Sequence, residues 1–166
     1  MLFKPDIKLR GITDITVELL NKYDIKALLL DVDNTMSTHH GTILTDGLMD
    51  WIANMQSNGI KLMVLSNSKK ARIKPFAARI GLPFISLGCK PMPSGYLRGA
   101  KALGEKRKNI AIVGDQMFTD VLGGNVVGVK TILLTPIKPE DGWSFKLRRR
   151  LEKILYKKYK LTDYEG

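Results

Sequence analysis

Residues 26–35 read KALLLDVDNT, and this stretch decides the fold expected of the chain. Its four consecutive apolar residues at 27–30 are typical of a strand that is buried on both faces of a parallel sheet. Asp31 and Asp33 follow at the point where that strand would end. We therefore predict that residues 26–31 form the first strand, buried on both faces, with two carboxylates at its C-terminal end.

Comparable apolar runs recur along the chain and alternate with stretches of helical spacing. This alternation predicts βα units and a parallel sheet that is covered by helices on both faces. A further helix is expected over residues 13–22, and Thr119 is expected to cap the helix after the fourth strand. The predicted fold class is α/β, a three-layer α/β/α Rossmann-like domain. The other predicted strands are 61–65, 84–86, 110–113 and 131–134, and the other predicted helices are 48–55, 71–80, 94–103 and 119–127.

Length and composition indicate an ordinary globular domain. The chain has 166 residues, which suits a single hydrophobic core. No apolar run approaches the roughly 20 residues that a membrane-spanning helix needs, and the N-terminus lacks the order of a signal peptide. Cys89 is the single cysteine, which excludes an internal disulfide and favours a reducing compartment. We expect a cytoplasmic protein, with peripheral attachment at the inner membrane face as the alternative.

The formal net charge of +11 is the unusual global property, and it favours an anionic partner such as nucleic acid, an acidic lipid surface or a phosphorylated substrate. Much of the excess lies in residues 146–160, KLRRRLEKILYKKYK, where Glu152 is the single acid. We therefore divide the chain into a catalytic domain at residues 1–142, which includes the N-terminal helix, and a basic amphipathic segment at residues 143–166.

The basic segment permits two interpretations. Leu147, Leu151, Ile154 and Leu155 recur at helical spacing among lysines and arginines. One interpretation is a helix that contacts a membrane surface through residues 143–160. The other is a helix that packs this apolar stripe on the domain and leaves its charges in water.

Polar residues follow four of the predicted strands. Asp31 and Asp33 follow the first, Ser66 and Asn67 the second, Lys90 the third, and Asp115 the fourth. In an open parallel sheet, ligands bind beyond the C-terminal ends of the strands, so we expect these side chains to converge.

This set of residues suits phosphoryl transfer. The carboxylate of Asp31 could attack phosphorus and form an aspartyl-phosphate, and Asp33 could protonate the leaving oxygen and then activate water. Repulsion between the two carboxylates, or partial burial, would keep Asp33 protonated when needed. Asp31 and Asp115 could supply oxygen ligands to Mg²⁺. Ser66, Asn67 and Lys90 are the candidate phosphate-binding residues, Lys90 as a point cation.

The segments LLLDVDNT, VLSNS, CKP and VGDQMFTD resemble the four motifs of the haloacid dehalogenase (HAD) superfamily. The resemblance implies that Asp31 is the nucleophile and that Asp33 is the general acid/base, whose backbone carbonyl also binds the metal. It further implies that Ser66 is the second-motif residue, Lys90 the third-motif lysine and Asp115 a metal-binding acid. Four motifs in this order make the resemblance specific.

The same segments are similar to the subfamily IIIA branch of YqeG-type phosphatases, whose mitochondrial relatives dephosphorylate phosphatidylglycerophosphate on the way to cardiolipin. Gln116 departs from the pattern, because many HAD enzymes carry a second aspartate there. Asp120 is the candidate to support the metal from an outer layer, together with Thr35. The short connections at residues 35–61 and 67–90 leave no room for a large cap domain.

We therefore expect a Mg²⁺-dependent phosphatase whose substrate is phosphatidylglycerophosphate or a similar lipid phosphate. One alternative is a phosphatase of a soluble phosphometabolite or nucleotide. The other is a HAD-fold nucleic-acid-binding protein, which the absence of an RNP-like aromatic motif or zinc knuckle disfavours. A partner subunit could cover the open site, so oligomerisation stays an alternative. His39 and His40 are expected in a solvated loop.

Overall fold

The computed structural model describes residues 1–38, 43–138 and 140–164. The loop predicted at His39 and His40 lies outside the described residues.

Six strands form one sheet in which every neighbouring pair is parallel. Their order across the sheet is β1-β6-β5-β2-β3-β4. The predicted parallel α/β sheet is thus confirmed. The strands are β1 (Ile7–Leu9), β2 (Ala27–Leu30), β3 (Lys61–Leu65), β4 (Phe84–Ile85), β5 (Ile110–Gly114) and β6 (Lys130–Leu134).

Helices cover both faces of this sheet and complete the three layers that the sequence predicts. α1, α2 and α3 share one core cluster, and α4 contributes to a second cluster on the other face. The helices are α1 (Val17–Lys22), α2 (Leu48–Ser57), α3 (Lys70–Ile80), α4 (Pro93–Leu103), α5 (Leu122–Val127) and α6 (Trp143–Tyr159).

Strand β2 shows why its sequence is continuously apolar. Leu28 and Leu30 belong to the cluster on the α1–α3 side, whereas Ala27 and Leu29 belong to the cluster on the α4 side. All four are fully buried. Since successive side chains of a strand point to opposite faces, burial of both faces requires an apolar residue at every position.

The region before β2 differs from the prediction in two ways. β1 was not predicted, because three residues carry too little periodicity to mark a strand, and its pairing with β6 is a long-range contact. The helix predicted at 13–22 is a short 3₁₀ turn at Ile12–Asp14 followed by α1. Ile15 is extended between them, and the side chain of Thr16 accepts a hydrogen bond from the backbone N–H of Leu19, which starts α1.

The prediction that Thr119 caps a helix is wrong. Residues Met117–Val121 already form a wide π-helical turn, which runs directly into α5. Thr119 lies inside that turn, and its backbone carbonyl accepts a hydrogen bond from the Tyr96 hydroxyl at 2.7 Å.

The connections between motifs are short within the described residues. Between β2 and α2 these residues form a loop with isolated bridges from Ser37 to Asp33 and to Leu44, and between β3 and β4 they form α3 alone. No cap domain lies in these described segments. No described helix is long and apolar enough to cross a membrane.

Helix α6 packs on the domain through Leu155, Tyr156 and Tyr159, which contact the small core of Met117, Val121 and Leu133. Its acid Glu152 is buried in the same contact. Of the four apolar residues in the predicted stripe, only Leu155 lies on this packed face. Leu147, Leu151 and Ile154 remain exposed.

Candidate active site

The site lies at the topological switch point of the sheet. From β2 the chain proceeds to β3 and β4 on one side, and then crosses to β5 and β6 on the other. This reversal opens a crevice beyond the C-terminal ends of β2 and β5. A cavity of about 490 Å³ occupies this place, and Asp31, Asp33, Ser66, Asn67 and Lys90 all line it. The structure thus brings five of the predicted residues together.

Lys90 is the central cation of the site. Its buried Nζ donates to Asp31 Oδ1 and to Asp120 Oδ1, both at 2.7 Å. Burial alone would lower the pKa of Lys90, but the carboxylates of Asp120 and Asp31 outweigh it and raise that pKa above its ordinary value. Lys90 is therefore a permanent ammonium that bridges two carboxylates.

Asp31 directly follows β2, and its backbone N–H donates to the carbonyl of Val113 at 2.9 Å. This extends the pairing of β2 with β5 and fixes the aspartate at the mouth of the crevice. Burial is the largest cause that raises the pKa of the Asp31 carboxyl; Lys90 opposes it and Asp120 and Asp33 add to it, and the net pKa is about 7.

Asp31, Asp115 and Asp120 form a carboxylate cluster that fits a metal ion. One oxygen from each residue lies within 4.8 Å of the others, and all three residues are buried. Oδ1 of Asp115 is buried and has no hydrogen-bond partner among the described residues. Carboxylate oxygens are the hard ligands that Mg²⁺ prefers, and this cluster supplies three carboxylates. The Asp115 oxygen without a hydrogen-bond partner in the described part of the chain is available to bind the ion.

The cluster differs from the predicted ligand set. Asp120, which was expected in an outer layer, lies beside Asp31 and Asp115. Asp120 also accepts a hydrogen bond from the backbone N–H of Gln116 at 3.2 Å. The side chain of Asp33 is not part of this cluster, which agrees with the expectation that Asp33 would bind the metal through its backbone carbonyl and not its carboxylate.

The Asp33 carboxylate is held by Arg72 of α3 in a forked ion pair, with Nη1 at 2.9 Å from Oδ2 and Nη2 bound to Oδ1. The same guanidinium donates to the Ser68 hydroxyl. Sequence reasoning missed Arg72. Its only signal was a cation in the first turn of the helix that follows the second motif.

Ser66 and Asn67 organise the loops around Lys90. The Asn67 side chain accepts from the Lys90 backbone N–H at 2.6 Å and donates to its carbonyl at 3.1 Å. The Ser66 hydroxyl accepts from the backbone N–H of Ser68 at 3.1 Å, which leaves its own proton free to be donated into the cavity. Asn67 therefore fixes the position of the lysine as well as lining the cavity.

Thr35 is buried in the turn after the first motif, and its hydroxyl has no hydrogen-bond partner among the described residues. This turn is tight, because Asn34 adopts a positive φ of 57° and its N–H donates to the carbonyl of Ser37 at 2.8 Å. Thr35 does not line the cavity.

Arg149 of α6 connects the C-terminal helix to the carboxylate cluster. Its guanidinium donates to the Asp115 carboxylate, to the Asp115 backbone carbonyl at 2.9 Å, to Glu140 at 3.0 Å and to Glu152 at 2.8 Å. Glu152 in turn accepts from the backbone N–H of Met117 at 2.9 Å. Neither of the two interpretations of the basic segment predicted this contact of Arg149.

Burial raises the pKa of Asp115 well above its ordinary value, and Arg149 is the cation that opposes this shift. The converse effect raises the pKa of Arg149, because Asp115 and Glu152 outweigh the effect of its burial. A guanidinium satisfies this set better than an ammonium could, since its planar fork offers five donors.

Gly114 permits the close approach of Asp120 to the end of β5. A Cβ atom at position 114 would lie 2.2 Å from the carboxylate carbon of Asp120, which Lys90 and the Gln116 N–H hold in place. Any larger residue here would displace Asp120.

The chain is similar to known hydrolases over most of its length. The family model of haloacid dehalogenase-like hydrolases matches residues 8–128. The chain is 35% identical over 151 residues to the Probable phosphatase YqeG of Bacillus subtilis (strain 168), an alignment that covers 91% of this chain and 88% of that protein. It is 30% identical over 141 residues to the mitochondrial phosphatidylglycerophosphatase GEP4 of Saccharomyces cerevisiae, covering 76% of this chain and 75% of that protein.

Among solved structures, an uncharacterized protein from Listeria monocytogenes serotype 4b superposes with a TM-score of 0.57 at 15% sequence identity. The superposition covers 80% of this chain and 99% of that one. At this identity the likeness concerns the fold alone.

Proposed function

Because the chain belongs to the haloacid dehalogenase-like hydrolase family, we propose that it is a Mg²⁺-dependent phosphatase that forms an aspartyl-phosphate on Asp31. The observation that carries this proposal is the position of Asp31. Its carboxylate lies at the mouth of the crevice, 2.7 Å from the Lys90 ammonium and inside a cluster of three carboxylates. Such a carboxylate can attack phosphorus while the neighbouring cation neutralises the charge of the phosphoryl group.

Mg²⁺ would be held by Asp31, Asp115 and the backbone carbonyl of Asp33, with Asp120 beside them. When bound, it supplies positive charge that stabilises the phosphoryl oxygens and keeps the Asp31 carboxyl ionised. Lys90, Ser66 and Asn67 would bind the phosphate, Lys90 by its charge and Ser66 by its hydroxyl. Thr35 would support the turn that carries Asp31 and Asp33.

Asp33 would protonate the leaving oxygen and later take a proton from the water that opens the intermediate. In the structure its carboxylate is bound by Arg72. Arg72 therefore orients Asp33 toward the cavity, and proton transfer requires that at least one of its two bonds be released. We assign Arg72 as a positioning residue.

We further propose that the substrate is a lipid phosphate of the phosphatidylglycerophosphate type. Three observations support this assignment. The yeast relative carries that activity in its name. The described residues form no cap that would exclude a bulky substrate. The net charge of +11 favours an anionic surface.

The test measures phosphate release from a chromogenic aryl phosphate and from phosphatidylglycerophosphate in mixed micelles. Wild type is compared with the isosteric Asp31→Asn variant, and each is assayed with Mg²⁺ and with EDTA. We expect release that needs both Mg²⁺ and Asp31, with a higher kcat/KM for the lipid.

The matched control is Asp50→Asn on the exposed side of α2, which removes the same charge far from the cavity. Phosphate release that persists in the Asp31→Asn variant would exclude Asp31 as the nucleophile. A higher kcat/KM for soluble sugar phosphates or nucleotides than for the lipid would replace the proposed substrate class but keep the mechanism.

A further inference from the structure

The side of α6 that points away from the domain is apolar and exposed. Trp143, Leu147, Leu151 and Ile154 expose 79%, 44%, 45% and 61% of their surface. They recur at intervals of three and four residues, so they form one stripe along the helix. We call this stripe, together with the cations beside it, the outer face of α6.

Four exposed cations beside the apolar stripe are Lys146, Arg150, Lys153 and Lys157, and exposed Lys158 continues the line of the stripe itself. The first four lie on one flank of the apolar stripe, again at helical spacing. The one acid of α6, Glu152, is buried on the opposite side against Arg149 and the Met117 N–H. The outer face therefore carries no carboxylate within the described helix.

The contacts that anchor α6 to the domain lie on its inner side. α6 is already anchored by Leu155, Tyr156, Tyr159 and the Arg149 ion pairs on its inner side. Contiguous exposed apolar side chains are uncommon on soluble proteins and mark surfaces that contact something else.

We propose that the outer face of α6 docks on the surface of an anionic phospholipid membrane. An apolar stripe flanked by lysines and arginines is the pattern of a helix that lies in the membrane interface. The cations complement the negative surface potential, and the apolar side chains enter the boundary of the acyl region. This inference rests on the proposed function and deepens it. Docking would present a lipid phosphate to the cavity.

The position of α6 fits this purpose. Phe145 and Arg148, on the first turns of the helix, line the cavity that contains Asp31 and Lys90. These two residues lie on the inner side of α6, so a helix whose outer face lies on a membrane would hold the cavity about one helix diameter, roughly 10 Å, from the headgroups.

RNA is the other anionic surface to consider, and the outer face fits it less well. RNA phosphates would pair with the four cations. They would leave four large apolar side chains in water, and the helix offers no row of aromatic side chains on which bases could stack.

The experiment is co-sedimentation of the full chain with vesicles of phosphatidylcholine and phosphatidylglycerol in a two-to-one ratio, compared with pure phosphatidylcholine vesicles. We expect binding to the anionic vesicles that weakens with added salt. Replacement of one outer-face cation by glutamine is expected to weaken partitioning about fivefold.

The apolar stripe is tested with the double variant Leu151→Gln and Ile154→Gln. Both side chains are exposed, so the fold has little reason to change, and circular dichroism checks it. We expect at least a tenfold loss of binding. The matched control is Met49→Gln with Leu97→Gln, two comparably exposed apolar residues on α2 and α4, which is expected to bind as wild type does.

Tryptophan fluorescence gives a site-specific readout. The chain has two tryptophans, and Trp51 is buried in the core while Trp143 belongs to the outer face. We expect a blue shift of the emission on adding anionic vesicles, and its loss in Trp143→Phe.

Failure of this inference and failure of the proposed function are distinguishable. Absence of binding to anionic vesicles, or equal binding by the Leu151→Gln/Ile154→Gln variant, overturns docking by the outer face even if the aryl phosphate is hydrolysed. Tighter binding to polyuridylate than to vesicles, unaffected by the double variant, overturns it in favour of RNA. Vesicle binding without hydrolysis would retain the docking surface and reject the enzyme mechanism.

Discussion

Lys90 shows how much of the site depends on a single side chain. Its ammonium is almost fully buried between Asp31 and Asp120, so its removal leaves two carboxylates buried without their cation. We expect Lys90→Met to lower the free energy of unfolding by roughly 3–5 kcal/mol and to abolish phosphate release. Urea denaturation measures the first effect. The matched control is Lys101→Met, which replaces an exposed lysine of α4. An equal loss of unfolding free energy in both variants would contradict this account.

The buried Asp31 carboxyl makes stability depend on pH in the absence of a divalent cation. Its folded-state pKa of about 7 lies above the unfolded value near 3.8, because burial disfavours the charged form. The folded state therefore binds more protons between these values. The stabilising contribution is complete below about pH 4 and is lost as the pH rises to about 7.

We expect the unfolding free energy, measured in EDTA from pH 4 to pH 7, to fall on the order of 1 kcal/mol per pH unit from this group. Asp31→Asn should flatten the slope without removing it, because the pKa of Asp115 is shifted in the same direction. Asp50→Asn should leave the slope as it is. If the pH dependence of the unfolding free energy is the same in Asp31→Asn as in wild type, other titrating groups cause it.

At the residue scale, sequence reasoning found the side chains that lie next to strand ends and missed those that come from elsewhere. Asp31, Ser66 and Asp115 each follow a buried strand directly, so a parallel sheet alone brings them to one edge. Arg72 and Arg149 reach the site from helices, and their contacts depend on how those helices pack. Periodicity does not encode that information.

Among the elements, α6 is coupled to the site by Arg149. Its guanidinium binds carboxylates of Asp115, Glu140 and Glu152, so its loss would leave three acids close together with less positive charge. We expect Arg149→Ala to lower the unfolding free energy by about 3 kcal/mol and to expose α6 to proteolysis. Arg149→Lys should recover only part of the lost stability, because an ammonium lacks the forked N–H donors of a guanidinium.

The matched control for Arg149 is Arg150→Ala, one residue along the same helix on its exposed side. It should change the unfolding free energy by no more than about 0.5 kcal/mol in solution without membranes. Equal effects of the two variants would show that α6 is held by its apolar contacts alone.

Elements were predictable where they were long and packed on both sides. β2, β3, β5 and α2 lie close to their predicted bounds, because each shows a clear apolar run or a helical period. The short β1 and the π-helical turn at Met117–Val121 were not predictable. The first depends on pairing with a strand more than 120 residues away, and the second is a rare departure from the α-helical period.

For the molecule as a whole, the predicted HAD-type phosphatase class is confirmed by the family model and the relatives. The proposed binding of Mg²⁺ leads to a prediction about stability. A ligand that binds only the folded state at about 100 times its Kd adds about 2.7 kcal/mol. For a chain of this size, Mg²⁺ should then raise the Tm by about 5–10 °C.

This shift is measured by calorimetry in Mg²⁺ and in EDTA, with no substrate present. Asp115→Asn should reduce it strongly, because Asp115 offers the buried oxygen without a hydrogen-bond partner among the described residues. Asp50→Asn should retain the full shift. An equal Tm in Mg²⁺ and in EDTA for wild type would argue against the carboxylate cluster as the binding site.

The two edges of the sheet have a consequence for how the protein would aggregate. β4 has two residues and β1 has three, and the carbonyl of Lys8 in β1 already accepts the N–H of Tyr164 at 2.8 Å. Short, partly covered edges offer little template for another strand. In concentrated solution, the native chain should therefore form no fibrils that bind amyloid dyes.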